Sequence, residues 1–245
     1  WPREAGAAYL ALATREDPAG ALQRRRQAAR QLMAGGYPDE GFAVLRQLLA
    51  AARLPLSPRP LRIAVSILLH MLLLRLRGRA RFRERAEAEV APLALLRIDT
   101  CEAVSSIAAT DPMLSGYFLV LGLWLALRAG EPRRLAHALS GEAHMRAGMG
   151  QPLPRVLPAL RLAQQLAARL DDRYALGRVH FVEGHAAHLD GRWRESSQAL
   201  ERAEEILREG CPEAAPQLEL SAALRMYNLR YRGDLGALAA QVPPL

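Results

Sequence analysis

The sequence predicts an all-α chain, an α-solenoid of antiparallel helix pairs, and three observations carry that prediction. Ala, Leu and Arg dominate a composition that is 51% hydrophobic but only 5% aromatic. These residues lose little or no side-chain entropy on entering a helix. Strand formers are thin, and no Asn-Gly or Asp-Gly turn joins two alternating runs. Pro and Gly cut the chain into helix-length pieces with short connections, which makes consecutive helices antiparallel neighbours. The 245 residues are enough for a sizeable core.

Taken in order, Asp17-Pro18 reads as an N-cap followed by proline at the first helical position. That helix runs to Gly35-Gly36, where glycine can adopt the left-handed stop. A second helix from about Pro38 to Arg53 places Phe42, Leu45, Leu48 and Leu49 at helical spacing. Pro55, Pro58 and Pro60 break the chain. Further helices are predicted over 60–77, 91–109, 114–129, 132–148, 155–170, 173–189, 192–208, 214–232 and 234–241. The organisation expected is one helical-repeat domain over 1–245. Within it lie an N-terminal helix pair at 17–53, long irregular helices at 60–150 and repeat-like pairs at 155–245.

The formal charge is +8, and every one of the 33 basic residues is arginine. Without lysine there is no Walker A lysine, no Schiff-base lysine and no ATP-pairing kinase lysine. Cys101 and Cys211 stand alone, outside any CxxC or Cys/His cluster, and read as helix-packed thiols in a reducing cytoplasm. The chain starts Trp1-Pro2-Arg3-Glu4, with neither an initiator Met nor a signal-peptide pattern, and is expected to be a segment of a longer protein. Two apolar runs, Ile63–Leu74 and Pro112–Leu127, fall short of the roughly 18–20 residues of a membrane span. Both read as central helices covered on two sides, and no membrane association is expected.

The clearest repeat is Tyr174 to Glu209: a helix, the turn Asp190-Gly191-Arg192-Trp193, and a second helix. Gly184 supplies a small residue midway along the first helix and Gly191 the turn glycine, with Trp193 the large residue beside it. Ser196, Leu200 and Ala203 give a small, large, small order on the second helix. This resembles a tetratricopeptide repeat, although His180 and Glu183 stand where that family prefers large apolar residues. The register also fits Ala29, Gly36, Gly41, Leu45 and Leu48. In that arrangement Gly184 and Ser196 let the paired helices approach, while Leu200 packs on the next pair.

A narrower resemblance lies in the order of short segments. They are Leu74-Arg75-Leu76-Arg77-Gly78, Arg81-Phe82-Arg83-Glu84-Arg85, Arg97-Ile98-Asp99, Asp111-Pro112, Ala126 to Pro132, Glu183-Gly184 and Gly191-Arg192-Trp193. Over roughly residues 20–232 this order resembles the helical region of large bacterial proteins that join a Ser/Thr protein kinase, an AAA/STAND-type ATPase and tetratricopeptide-like repeats. The resemblance implies a parent with kinase and ATPase activity. It transfers no catalytic residue here, because the Gly-rich loop, His-Arg-Asp and Asp-Phe-Gly are all missing from the sequence.

Two constellations could carry chemistry. His180, Glu183, His185, His188 and Asp190 cluster on one helix. His180 and His188 are about 12 Å apart along the axis, too far to share a metal. The order also misses HExxH and HxxEH, so a polar helix face is preferred to a metal site. Arg75, Arg77, Arg79, Arg81, Arg83 and Arg85 form a ladder at every second residue, with Gly78 inside it. Alternation is not helical, so a helix end and an irregular connector are expected. The preferred reading pairs these arginines with helix C-terminal carbonyls and with the nearby acids Glu84, Glu87 and Glu89. As a functional strip the ladder would bind anions, phosphates above all, or a partner.

Plainer readings hold elsewhere: Arg24-Arg25-Arg26 as a solvated face, Trp124 and Trp193 as packing anchors, and Asp171-Asp172 and Glu204-Glu205 as surface or cap acids. The expectation is a cytoplasmic, non-catalytic interaction scaffold with no cofactor or metal. Its partners would be a protein, a peptide or other domains of the same chain. An arginine-rich nucleic-acid-binding repeat is the alternative.

Overall fold

The computed structural model describes residues 1–16, 18–54, 59–78, 82–107, 111–209, 211 and 214–241. Among these there are twelve α-helices, one short 3-10 turn (Glu87–Glu89) and no strand. Contacts divide the chain into two compact units, Trp1–Gly78 with Glu87–Ala129, and Arg79–Ala86 with Gly130–Leu245.

The first unit holds α1 (Pro2–Ala13), α2 (Pro18–Ala34), α3 (Pro38–Ala51), α4 (Pro60–Arg77), α5 (Pro92–Ile107) and α6 (Pro112–Ala129). Proline opens all six, a position where its missing N–H costs nothing and its fixed φ suits the helix. α1 was not expected from the sequence, although Pro2 stands at its first position; its Trp1 N-cap makes no side-chain cap bond. The predicted N-cap Asp17 lies outside the described residues. α1 packs on α2, α2 on α3, and α5 on α6. Leu32, Val44, Leu45, Leu48, Cys101, Val104 and Phe118 share one buried cluster that ties α2 and α3 to α5 and α6. Burial pushes the Cys101 thiol up to about 12, against the pull of Arg97, so it remains protonated and inert.

α6 has 18 residues and a mean hydropathy of 1.4, and by length and composition it is long and apolar enough to cross a membrane. Its apolar side chains are spent on two neighbours, α5 and α4. α4 differs from the expectation of a helix covered on both sides. Among the described residues its main packing is on α6, and Leu61, Val65, Leu68, Leu69, Met71, Leu72 and Leu76 are 41–76% exposed.

The second unit holds α7 (Pro132–Gly148), α8 (Leu153–Arg169), α9 (Arg173–Leu189), α10 (Trp193–Arg208), α11 (Ala215–Arg232) and α12 (Leu235–Gln241). Each helix packs on the next, and α9 also touches α7 and α11. Two glycines of α9 permit its close approach to α10: a Cβ at Gly177 would stand 2.4 Å from Cγ of Leu207, and one at Gly184 2.6 Å from Cγ of Leu200. Leu200 is therefore seated within its own pair. It is Ser196 that reaches the following helix, accepting a 2.9 Å bond from the Asn228 amide of α11.

One closing turn recurs in both units. The residue after the helix end takes positive φ at Gly36, Arg53, Gly150, Asp171, Gly191 and Gly233. The next N–H then reaches back to a carbonyl of the last turn, as in Tyr37 to Leu32, Leu54 to Leu49, Asp172 to Ala167 and Arg192 to Ala187. This is the Schellman geometry that satisfies orphan carbonyls. Its sixfold repetition gives adjacent helices the same tight reversal.

Candidate partner-binding stripe on α7, α9 and α11

Five of the six histidines fall on α7 and α9. On α7, His137 and His144 are seven residues apart and so share a side. On α9, Tyr174, Phe181, His185 and His188 follow at spacings of seven, four and three, which also keeps them on one stripe. Packing of α9 between α7 and α11 brings these rows together. The His137 ring lies 5.6 Å from Tyr174, and His144 meets Phe181 edge-on at 5.8 Å.

His185 Nδ1 and His144 Nε2 are 2.8 Å apart across the α7–α9 contact. Burial pushes His144 down to about 4, with the neighbouring His185 and Arg178 adding to the effect. His185 is lowered too, first by burial and then by His188. Both rings are therefore neutral at pH 7, one donating to the other. His188 turns the other way: its Nδ1–H donates to Asn228 Oδ1 at 2.7 Å. The Asn228 amide in turn donates to Ser196 Oγ at 2.9 Å and Ser197 Oγ at 3.2 Å. Asn228, the only asparagine in the chain, is fully buried and joins α9, α10 and α11 through one polar knot.

Asp172 fixes the start of α9, accepting from Ala175 N–H at 2.9 Å and from Arg133 Nε of α7 at 2.8 Å. The adjacent His137 imidazole, the Ala175 N–H and Arg133 hold its carboxyl far below the usual range, against the opposing effect of burial. At the other end of the stripe, Trp193 stacks on Tyr231 at 5.3 Å and Tyr231 lies 6.4 Å from Tyr227. Tyr227 and Tyr231 are about half exposed. They form an aromatic step open to solvent, with Trp193 as its backing.

The sequence-derived candidates are placed as follows. His185 and His188 serve different neighbours, His180 lies 3.5 Å from Glu183, and Asp190 is exposed at the end of α9. Among the described residues no group of three or more His, Cys, Asp or Glu is arranged to hold a metal ion. Of the arginine ladder, Arg79 and Arg81 lie outside the described residues. Arg75 and Arg77 end α4 in the first unit, whereas Arg83 and Arg85 lie in a non-helical segment assigned to the second. Arg77 donates to the Leu127 carbonyl at 3.1 Å and covers the Trp124 ring at 5.6 Å, so it is a packing residue of the α4–α6 contact. The backbone N–H of Arg85 donates to the Gly130 carbonyl at 3.0 Å, and Glu84 pairs with Arg169.

Sequence reasoning missed His137, His144, Asn228 and the Tyr227–Tyr231 pair. The seven-residue spacing on α7 and the four-residue spacing on α11 were readable signals; the pairing between helices was not. The first unit also has an apolar cleft of about 310 Å³, lined mainly by Phe42, Leu45, Leu49, Ile63, Val104 and Leu114. Compared with family models, curated proteins and solved structures, the chain matches none.

Proposed function

We propose that this chain is a non-catalytic interaction and regulatory module, a degenerate tetratricopeptide-like solenoid that holds a peptide or another domain. One observation carries the reading: α9 packs on α7 and α11 as well as on its sequence neighbours, and the layer so formed ends in the half-exposed Tyr227–Tyr231 step. Helices stacked in this manner bury a continuous core and present a row of side chains from alternate helices. Tyrosine gives large contact area at low entropic cost, which suits recognition. In the bacterial kinase–ATPase proteins that the segment order resembles, such a module would sense or relay a signal to the enzymatic domains.

The test is affinity capture from native lysate with the wild-type chain and with the double variant Tyr227→Ala, Tyr231→Ala. A partner retained by the first and lost by the second supports the reading; identical captures contradict it. ATPase and autophosphorylation assays on the same chain should read background, and turnover above background would overturn the non-catalytic assignment. Kinase motifs encoded in the same gene would establish the parentage. Their absence would remove it.

A further inference from the structure

α4 turns Ser66, His70 and Arg77 toward α6, with His70 and Arg77 against Trp124. Its largest apolar stripe lies on the side that no described helix of the unit covers, the reverse of the usual amphipathic arrangement. Leu74 is buried on the α6 side, yet the opposite side carries Leu61, Val65, Leu68, Leu72 and Leu76 in the open. The first four follow at spacings of four, three and four residues, the repeat that seats one helix against another. Leu69 and Met71 widen the stripe on its two sides. Arg62 and Arg75 stand exposed near its two ends, roughly 20 Å apart at the helical rise. Residues 41–83 contain nine arginines and not one carboxylate.

We propose that this bare stripe of α4 seats an amphipathic helix of a protein partner, one with carboxylates flanking its own apolar stripe. Charge selects the occupant. A second copy of α4 laid antiparallel would set Arg62 against Arg75 and supply no acid, so like charges would meet at both ends. A lipid surface suits a helix whose far side is strongly polar and whose apolar side carries aromatics. The far side of α4 is engaged with α6 rather than with water, its His70 and Arg77 lying against Trp124, and the exposed stripe has no aromatic residue. A partner helix with glutamates beside its leucines satisfies both the stripe and its arginine ends.

The experiment uses two synthetic amphipathic helical peptides, with leucines on one stripe and either glutamates or lysines beside them, titrated into the whole chain by fluorescence anisotropy. The glutamate peptide should bind at least about tenfold more tightly than the lysine peptide. L68E with L72E should abolish that binding, while R62E with R75E should reverse the preference toward lysine. Circular dichroism melts of both variants should match wild type, since all four side chains are exposed. Equal binding of the two peptides, or binding unchanged by L68E with L72E, would overturn the proposal. So would a concentration-dependent dimer lost in L68E with L72E, or wild-type flotation with phosphatidylserine vesicles without peptide binding.

Discussion

α4 and α6 are long apolar helices of the same unit, and they meet opposite circumstances. α6 lies between α4 and α5, with Phe118, Leu123, Ala126 and Leu127 almost wholly removed from water. α4 touches α6 on one side and leaves seven large apolar side chains in solvent on the other. Hydropathy alone makes these two helices look alike; the number of neighbours separates them. A helix interlocked on both sides is a structural element, whereas one covered on a single side leaves apolar surface for the proposed partner helix. The α9–α10–α11 knot shows the interlocked condition in the second unit, where even the polar groups of Asn228 are matched.

The contrast can be broken most forcefully at α6. Leu123→Ala should cost about 2–5 kcal/mol in a chemical melt, because its neighbours refill the space only in part. In the knot, Asn228→Leu should cost about 1–3 kcal/mol, since it strands the His188 donor and the buried Ser196 hydroxyl. Acid attacks the same unit through His144. Its folded pKa of about 4 lies below the unfolded 6.5, so the unfolded chain binds the proton first. Stability fully present above pH 6.5 is lost as the pH falls toward 4, by up to about 2 kcal/mol at pH 5. Thermal melts at pH 7 and pH 5 should show that loss in wild type and a smaller one in His144→Gln.

Smaller effects sharpen the comparison. Asp171 holds a left-handed φ of 51° in a closing turn where four of the six such turns carry glycine, so Asp171→Gly should stabilise by about 0.4–1 kcal/mol. Leu72→Gln on the bare side of α4 should change stability by less than about 0.5 kcal/mol, because it leaves no cavity and keeps helix propensity.

Much of the fold was legible because its boundaries are written in local chemistry. The bounds predicted for α7 and α9, 132–148 and 173–189, coincide with the helices, where Pro132 and the Asp172 cap mark the starts. α1 escaped although Pro2 opens it, since its Trp1 N-cap adds no side-chain cap bond. The site was less legible for a physical reason. His185 was singled out, but its partner His144 lies 41 residues away on another helix. Likewise the exposure of α4 is a property of its neighbours and leaves no mark in its own residues. The arginine ladder was visible as a pattern, and Arg77 meets the Leu127 carbonyl near the end of α6, the kind of bond expected of it, while its place over Trp124 was not readable from the sequence.

Hydrogen–deuterium exchange of the whole chain tests the central contrast most directly, since amide protection reports the local opening free energy. The account predicts that α4 amides exchange at least about tenfold faster than those of α6 in the free protein. It also predicts that α4 becomes protected when the glutamate-flanked peptide is added. Equal protection of α4 and α6 in the free chain, unchanged by that peptide, would contradict it.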